Sequence, residues 1–210
     1  MGLIFPFQTT GQELLCIHTW SELEPMIATG EVYPPPREEI HRQILKEAQE
    51  LLSAMIYGLE FSYTPSDSLR DIPESFQLKP IARLKWGDSH LKIACLEERN
   101  KKLFAKLYYV MQDFQAARRQ AWSSNTIPVA AGSGESSLLK GPQEKWRSVQ
   151  EAIKNAIRNH LRPVLFNKPR QVTGEVLIWE APQTIIKAGN YLTRVTVKLL
   201  INKVQSYRIF

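Results

Sequence analysis

The stretch REEIHRQILKEAQELLSAMIYGLEF, residues 37–61, sets the pattern on which the fold prediction rests. Its apolar residues recur every three or four positions, which places them on one face of a helix. These residues are Ile44, Leu45, Ala48, Leu51, Leu52, Met55 and Ile56. Gly58 is suited to end the helix, and the next five residues alternate as a strand does. The stretch therefore predicts an amphipathic helix followed at once by a strand.

A second part of the chain repeats this order of elements. From about Glu144, apolar residues again recur at helical spacing, and a strand and a hairpin follow. Each predicted hairpin contains one tryptophan, in Leu84-Lys85-Trp86 and in Leu177-Ile178-Trp179. The repetition predicts an α+β protein of two related α-β-β-β modules, each an amphipathic helix packed on an antiparallel sheet. Trp86 and Trp179 are then expected to be equivalent core residues.

The expected boundaries follow from the composition. Residues 1–40 form an N-terminal arm, 41–122 the first module and 142–210 the second. Residues 123–141 read as a linker or mobile loop, because Gly132-Ser133-Gly134 lies within them. Thr19–Met26 is expected to begin a helical turn, and Asp113–Trp122 is either a strand or a short helix. The pattern leaves open whether the modules share one sheet or form two domains.

The charge is unevenly distributed along the chain. Residues 1–100 carry 9 lysines and arginines against 15 aspartates and glutamates, a net charge of −6. Residues 101–210 carry 18 against 6, a net charge of +12. A basic half can meet nucleic acid, anionic lipid or an acidic protein, or it can meet the acidic half of its own chain.

The strongest candidate for a binding surface is a set of basic residues. Several are expected on the outer face of the second helix, and Arg118-Arg119 add a cation pair beside Trp122. The set comprises Lys154, Arg158, Arg162, Lys168, Arg170, Arg118 and Arg119. A solvated, purely structural face is the competing interpretation, since no aromatic stacking platform accompanies it.

Residues that could carry catalysis are sparse. Asp88 and His90 lie on a predicted turn and could do acid–base work, although a turn also selects Asp, Ser and Gly. Cys16 and His18 could form a thiol–imidazole pair, and the sequence does not tell whether Cys16 pairs with Cys95. No spacing of His or Cys predicts a metal site, and no nucleotide or hydrolase motif is present. We therefore expect no enzyme activity, no cofactor and no catalytic residue.

Four segments together carry a resemblance to a known group of proteins. The segments are Trp20–Glu24, Tyr33-Pro34-Pro35, Tyr57-Gly58 followed by Phe61–Asp67, and Phe166–Arg170. They resemble a group of uncharacterised envelope proteins of spirochaete bacteria, over nearly the whole chain. More loosely, the modules are similar to those of small bacterial lipoproteins and flagellar-assembly accessory proteins.

The resemblance implies a periplasmic, non-enzymatic structural or assembly protein that acts through protein–protein contacts or self-association. It brings no catalytic residues with it. The export signal typical of that group is missing from Met1–Phe7, which is short and lacks a basic region. No apolar run approaches the ~18 residues that span a bilayer. A cytoplasmic nucleic-acid-binding protein and a hydrolase are the alternatives.

Overall fold

The computed structural model describes residues 13–28, 32–163 and 168–207. Met1–Phe7, and Phe166 and Asn167 of the segments that carry the resemblance, lie outside the described residues. The elements in chain order are β1 (Leu14–Glu22), α1 (Arg37–Ile56), β2 (Leu59–Thr64), β3 (Ser75–Pro80), β4 (Leu91–Arg99), β5 (Lys102–Val110), α2 (Asp113–Ala121), β6 (Val129–Ser137), a 3-10 turn (Leu138–Lys140), α3 (Glu144–Leu161), β7 (Gln171–Ile178), β8 (Gln183–Lys187) and β9 (Asn190–Gln205).

The described strands form two antiparallel sheets. The smaller has the order β1-β5-β4, and the larger has the order β3-β2-β7-β9-β6, with β8 also paired to β9. The pairing of β2 with β7, in which Tyr63 lies opposite Val172, joins the first half of the chain to the second. The two halves therefore share one sheet, and the α+β class is confirmed.

Helix α1 lies between the two sheets. It contacts β1 and β5 on one side and β7 on the other. From Leu51 to Ile56 all of its residues are buried, as expected of a helix covered on every side. Gly58, with a φ of 80°, turns the chain out of the helix into β2. One continuous core results, to which both sheets, α1 and α3 contribute.

Helix α3 packs directly on β6, within the segment expected to be a linker. Gly132 and Gly134 are the reason for this close contact. A Cβ atom on Gly134 would lie 2.2 Å from the backbone nitrogen of Ala152, and one on Gly132 would lie 2.4 Å from that of Ala156. Residues 123–141 therefore contain a paired strand, and their glycines serve close packing rather than flexibility.

The duplication of modules is not confirmed. Leu84-Lys85-Trp86, expected in the first hairpin, lies in a segment, residues 81–86, that forms no strand, and β4 pairs with β5 instead. The β4–β5 hairpin joins β1 in the smaller sheet, whereas β7, β8 and β9 lie in the larger sheet. Trp86 is 57% exposed, which corrects its assignment to the core. Trp179 is half-buried under the guanidinium of Arg119.

The N-terminal arm contains strand β1 instead of the expected helical turn. Leu15 and Ile17 are buried against α1, while Leu14, Cys16 and His18 are exposed. The ambiguous segment at 113–122 is the helix α2. Its first turn is held by Gln115, whose side chain accepts a hydrogen bond from the Gln112 backbone N–H at 2.8 Å. Among the described residues, no helix is long and apolar enough to cross a membrane.

Candidate functional site

Arg118 and Arg119 of the predicted basic set bind the end of α1. Arg118 donates two hydrogen bonds to the Tyr57 carbonyl, at 2.8 and 3.1 Å. The buried Arg119 donates to the Met55 carbonyl at 2.6 Å and to the Trp179 carbonyl at 2.7 Å. The Met55 and Tyr57 carbonyls lie at the C-terminal end of α1, where the helix offers them no partner, so the two arginines cap α1 and attach α2 to it.

Lys154 and Arg158 of α3 meet an acidic residue from the first half of the chain. The Lys154 Nζ lies 3.4 Å and the Arg158 Nε 3.6 Å from carboxylate oxygens of Glu74. Burial raises the pKa of Glu74, but the Tyr63 hydroxyl and the two cations together bring the pKa below its usual range. Part of the charge asymmetry is thus neutralised within the chain.

Of the remaining predicted cations, Arg162 and Lys168 lie at the C-terminal end of α3, and Arg170 directly precedes β7. Arg162, Lys168 and Arg170 are exposed, and Lys168 donates a hydrogen bond to the Ser66 carbonyl at 2.8 Å. One cleft of about 500 Å³ beside Tyr63 is lined by three cations, Arg158, Arg162 and Lys168. Glu74 is the acidic residue in its lining. Arg170 lies outside that lining. The structure therefore places four of the seven predicted residues along one side of α3. They are Lys154, Arg158, Arg162 and Lys168.

A second cleft, of about 360 Å³, lies at the opposite end of α3. Its carboxylates are Glu22, Glu39, Glu47 and Glu50, its cations are Lys46 and Lys145, and its aromatic residues are Trp20, Trp146 and Tyr191. Four acidic groups against two basic ones give this end a negative charge. No local sequence pattern predicts this cleft, because its residues come from β1, α1, α3 and β9.

Lys145 is the buried centre of this cleft. Its Nζ donates hydrogen bonds to the Trp20 carbonyl at 2.5 Å and to Glu47 at 2.8 Å, and it lies 4.1 Å from the centre of the Trp20 ring. Burial lowers the pKa of Lys145 and raises that of Glu47, and the attraction between the two charges opposes both shifts only in part. The ammonium therefore joins β1, α1 and α3 at one point.

Two further clefts lie between these two, so that four adjoining clefts follow α3. The first of these further clefts shares Glu50 and Trp146 with the acidic end. The second shares Leu78 and Gln150 with the first. Glu74 then lines both this second further cleft and the basic end. We call these four adjoining clefts the α3 groove. A helix of 18 residues is about 27 Å long, which sets the length of the groove.

The floor of the α3 groove is a part of the larger sheet that no helix covers within the described part of the chain. Phe76, Leu78 and Pro80 of the edge strand β3 lie opposite the buried Tyr63, Phe61 and Leu59 of β2. They are therefore on the core-facing side of the sheet, yet they are only half-buried. The groove thus has an apolar floor, a polar helix wall and ends of opposite charge.

Asp88 and His90 contact each other as their spacing allows. Asp88 accepts hydrogen bonds from the His90 backbone N–H at 2.9 Å and from the Tyr109 hydroxyl at 3.1 Å, and the His90 Nδ1 lies 2.8 Å from the same carboxylate. Burial raises the pKa of Asp88, but these hydrogen bonds together bring it below its usual range. Neither residue lines the clefts described above.

Cys16 and Cys95 are both exposed and unpaired. Strand β5 lies between the strands that carry them, with Cys16 opposite Tyr108 and Cys95 opposite Lys106. Two strands apart is about 9.5 Å, beyond the span of a disulfide. Among residues 13–28, 32–163 and 168–207, no group of three His, Cys, Asp or Glu side chains is arranged to hold a metal ion.

Comparison with known proteins places the chain in a family. A protein-family model whose description states no activity matches residues 4–207. The chain belongs to this family. It is similar to a protein of Treponema pallidum (strain Nichols) described as an uncharacterized protein, with 23% identity over 209 residues that cover 96% of this chain and 85% of that protein. This agrees with the resemblance to uncharacterised spirochaete proteins. No solved structure matches the chain.

Proposed function

We propose that this protein is a non-enzymatic structural or assembly component of the cell envelope that works through protein–protein contacts. The α3 groove carries the proposal. It is as long as a helix of 18 residues, open to solvent and floored by Phe76 and Leu78. A long open groove suits a polypeptide, whereas small ligands are usually enclosed in one concave pocket.

Two buried cationic groups with structural partners support a non-enzymatic role. Lys145 is occupied by the Trp20 carbonyl and Glu47, and Arg119 by two backbone carbonyls. Each contact satisfies a group that would otherwise be buried without a partner. These contacts stabilise the junctions between elements, and a binding surface needs such a rigid frame.

The periplasmic location rests on the resemblance of segments such as Trp20–Glu24 to envelope proteins of spirochaetes. The similar Treponema protein comes from the same group of bacteria, and its description names no compartment. Separating periplasm, cytoplasm and membranes of the native organism, followed by detection of the protein, tests the location directly. Recovery in the cytoplasm would remove the envelope part of the proposal.

The contact itself is tested by photo-crosslinking in cells. A photoreactive residue at Gln150, in the wall of the groove, is expected to form an adduct with one partner protein. The same residue at Ile185 is the control, because that side chain is exposed and lies opposite Leu192 on the sheet face away from the helices. A protein that remains monomeric and forms no adduct from Gln150 would refute the contact.

Nucleic-acid binding is the second candidate, supported by the exposed cations Arg162, Lys168 and Arg170. Glu74 weakens it, because this residue pairs with the neighbouring Lys154 and Arg158. The decisive measurement is a fluorescence titration of a labelled oligonucleotide at low salt. Binding that falls steeply with added salt would support this candidate, and no response would remove it.

A further inference from the structure

We infer that the α3 groove binds an extended segment of a partner polypeptide whose charges change sign along its length, with cationic residues at the Trp146 end and anionic residues at the Arg162 end. This inference rests on the proposed contact function and names the chemistry of the partner. The charges of the groove carry it. The Trp146 end has four carboxylates and two lysines, and the Arg162 end has three cations and one carboxylate.

The dimensions of the groove favour an extended chain. Its smallest cleft, lined by Ser53, Pro80 and Gln150 among others, holds about 170 Å³. An extended chain rises about 3.3 Å per residue, so about eight residues reach from one end of α3 to the other.

The charge order excludes a uniformly charged ligand. A polyanion that binds Arg162 and Lys168 would be repelled by Glu39 and Glu50 farther along the groove. A polycation that binds Glu39 and Glu50 would be repelled by Arg162 and Lys168. Like charges placed in contact suppress a wrong partner more strongly than opposite charges attract the right one. Between the ends, Phe76 and Leu78 offer apolar contact to alternate side chains of the bound segment.

Trp146 is the aromatic group available to a bound cation. Trp20 also lines this end, but Lys102 and Lys145 each already lie 4.1 Å from the centre of its ring. Trp146 is half-buried on α3, and it lines the groove beside Glu50. A lysine or arginine of the partner can therefore meet an indole and a carboxylate at the same place.

Three synthetic octapeptides of known charge order test the inference by fluorescence anisotropy. Each has four alternating threonines and valines in the centre. The dipolar peptide has two lysines at one end and two glutamates at the other, and the two control peptides have lysines or glutamates at both ends. The full-length protein is expected to bind the dipolar peptide about tenfold more tightly than either control at low ionic strength.

Charge reversal at one end of the groove should redirect this preference. Arg158→Glu with Arg162→Glu should make the peptide with lysines at both ends the preferred one. Glu39→Lys with Glu50→Lys should favour the peptide with glutamates at both ends. The neutral pairs Arg158→Gln with Arg162→Gln and Glu39→Gln with Glu50→Gln remove the charges without reversing them, and should only weaken binding of the dipolar peptide. Circular dichroism and thermal unfolding check that each variant is folded.

The possible results are distinct. Equal binding of all three peptides, no binding of any of them, or tightest binding of a control peptide by the unaltered protein would overturn the inference. Self-association lost in the Arg158→Glu, Arg162→Glu variant would also overturn it, because the occupant would then be a second copy. An adduct from Gln150 combined with any of the first three results would preserve the contact function and reject only the charge order.

Discussion

Gly134 of β6 lies directly beneath Ala152 of α3, so close that a Cβ atom on the glycine would be 2.2 Å from the alanine backbone nitrogen. The opposing atoms are backbone, which cannot move aside as a flexible side chain can. We expect Gly134→Ala to destabilise the protein by about 1–3 kcal/mol through overpacking. Urea unfolding measures the loss, and Ser133→Ala, at an exposed neighbouring position, is the matched control. Equal stability of the two variants would contradict this packing.

Arg119 supplies two hydrogen bonds that join α2 to the end of α1 and to Trp179. Arg119→Ala leaves the Met55 carbonyl without its cap in a buried place, which should cost about 1–3 kcal/mol. Gln120→Ala, on the exposed side of the same helix, should change stability by less than about 0.5 kcal/mol. Thermal unfolding of the two variants checks this, and similar melting temperatures would argue against the cap.

The Lys145–Glu47 pair gives a pH-dependent prediction. In Lys145→Met, Glu47 remains buried without its cation, and its pKa rises further above the usual 4.5. An acid with a raised folded pKa contributes stability at low pH that is lost as the pH rises through that pKa. The variant should therefore be close to wild type near pH 4 and less stable by about 3–5 kcal/mol near neutral pH. Urea unfolding across this range measures the difference.

The control for that prediction is the double variant Lys145→Met, Glu47→Leu, which removes both charges. It should recover most of the lost stability at neutral pH, since no unpaired ion is left in the protein. A Lys145→Met variant whose deficit does not vary with pH would show that the ammonium contributes by packing alone.

Glu74 gives the opposite dependence on pH. Its folded pKa is depressed, because Tyr63, Lys154 and Arg158 overcome the effect of burial. A depressed pKa contributes stability above the usual value of 4.5 that is lost as the pH falls through the folded pKa. Glu74→Gln should cost about 1 kcal/mol near pH 7 and nothing measurable at strongly acidic pH. Glu135→Gln, on the exposed part of β6, serves as the control for a general charge effect.

The two cysteines should both react in the folded protein. Cys16 and Cys95 are exposed and lie on strands separated by β5. A colorimetric thiol titration under native, non-reducing conditions should yield two thiols per chain, and Cys16→Ser or Cys95→Ser should each leave one. A native protein without reactive thiols would contradict the separation of the strands.

Local patterns in the sequence were sufficient for most of the elements. The helical spacing of Ile44, Leu52 and Ile56 predicted α1, and the alternation after Gly58 predicted β2. The second helix and strands β7, β8 and β9 followed in the same way. These predictions succeeded because hydrophobic periodicity depends on which face of an element is buried, and not on its partner.

Other features depended on partners distant in the chain. Gly132 and Gly134 read as a linker, because nothing near them in sequence reveals that Ala152 and Ala156 pack on them. Trp86 and Trp179 occupy similar local patterns, yet one is exposed and the other is covered by Arg119. The acidic end of the groove could not be predicted from the sequence, because its residues come from four separate elements.

The helices, most strands, the basic character of α3 and the net charge of each half follow from the sequence alone, because these properties are local or additive. The tertiary fold was needed to show that β4 and β5 join β1, that β2 pairs with β7, and that Glu74 meets Lys154. Strand partners are chosen by the burial of whole faces against one another, at a distance along the chain that no local pattern encodes. The α3 groove exists because β3 extends beyond the helices that cover the rest of its sheet.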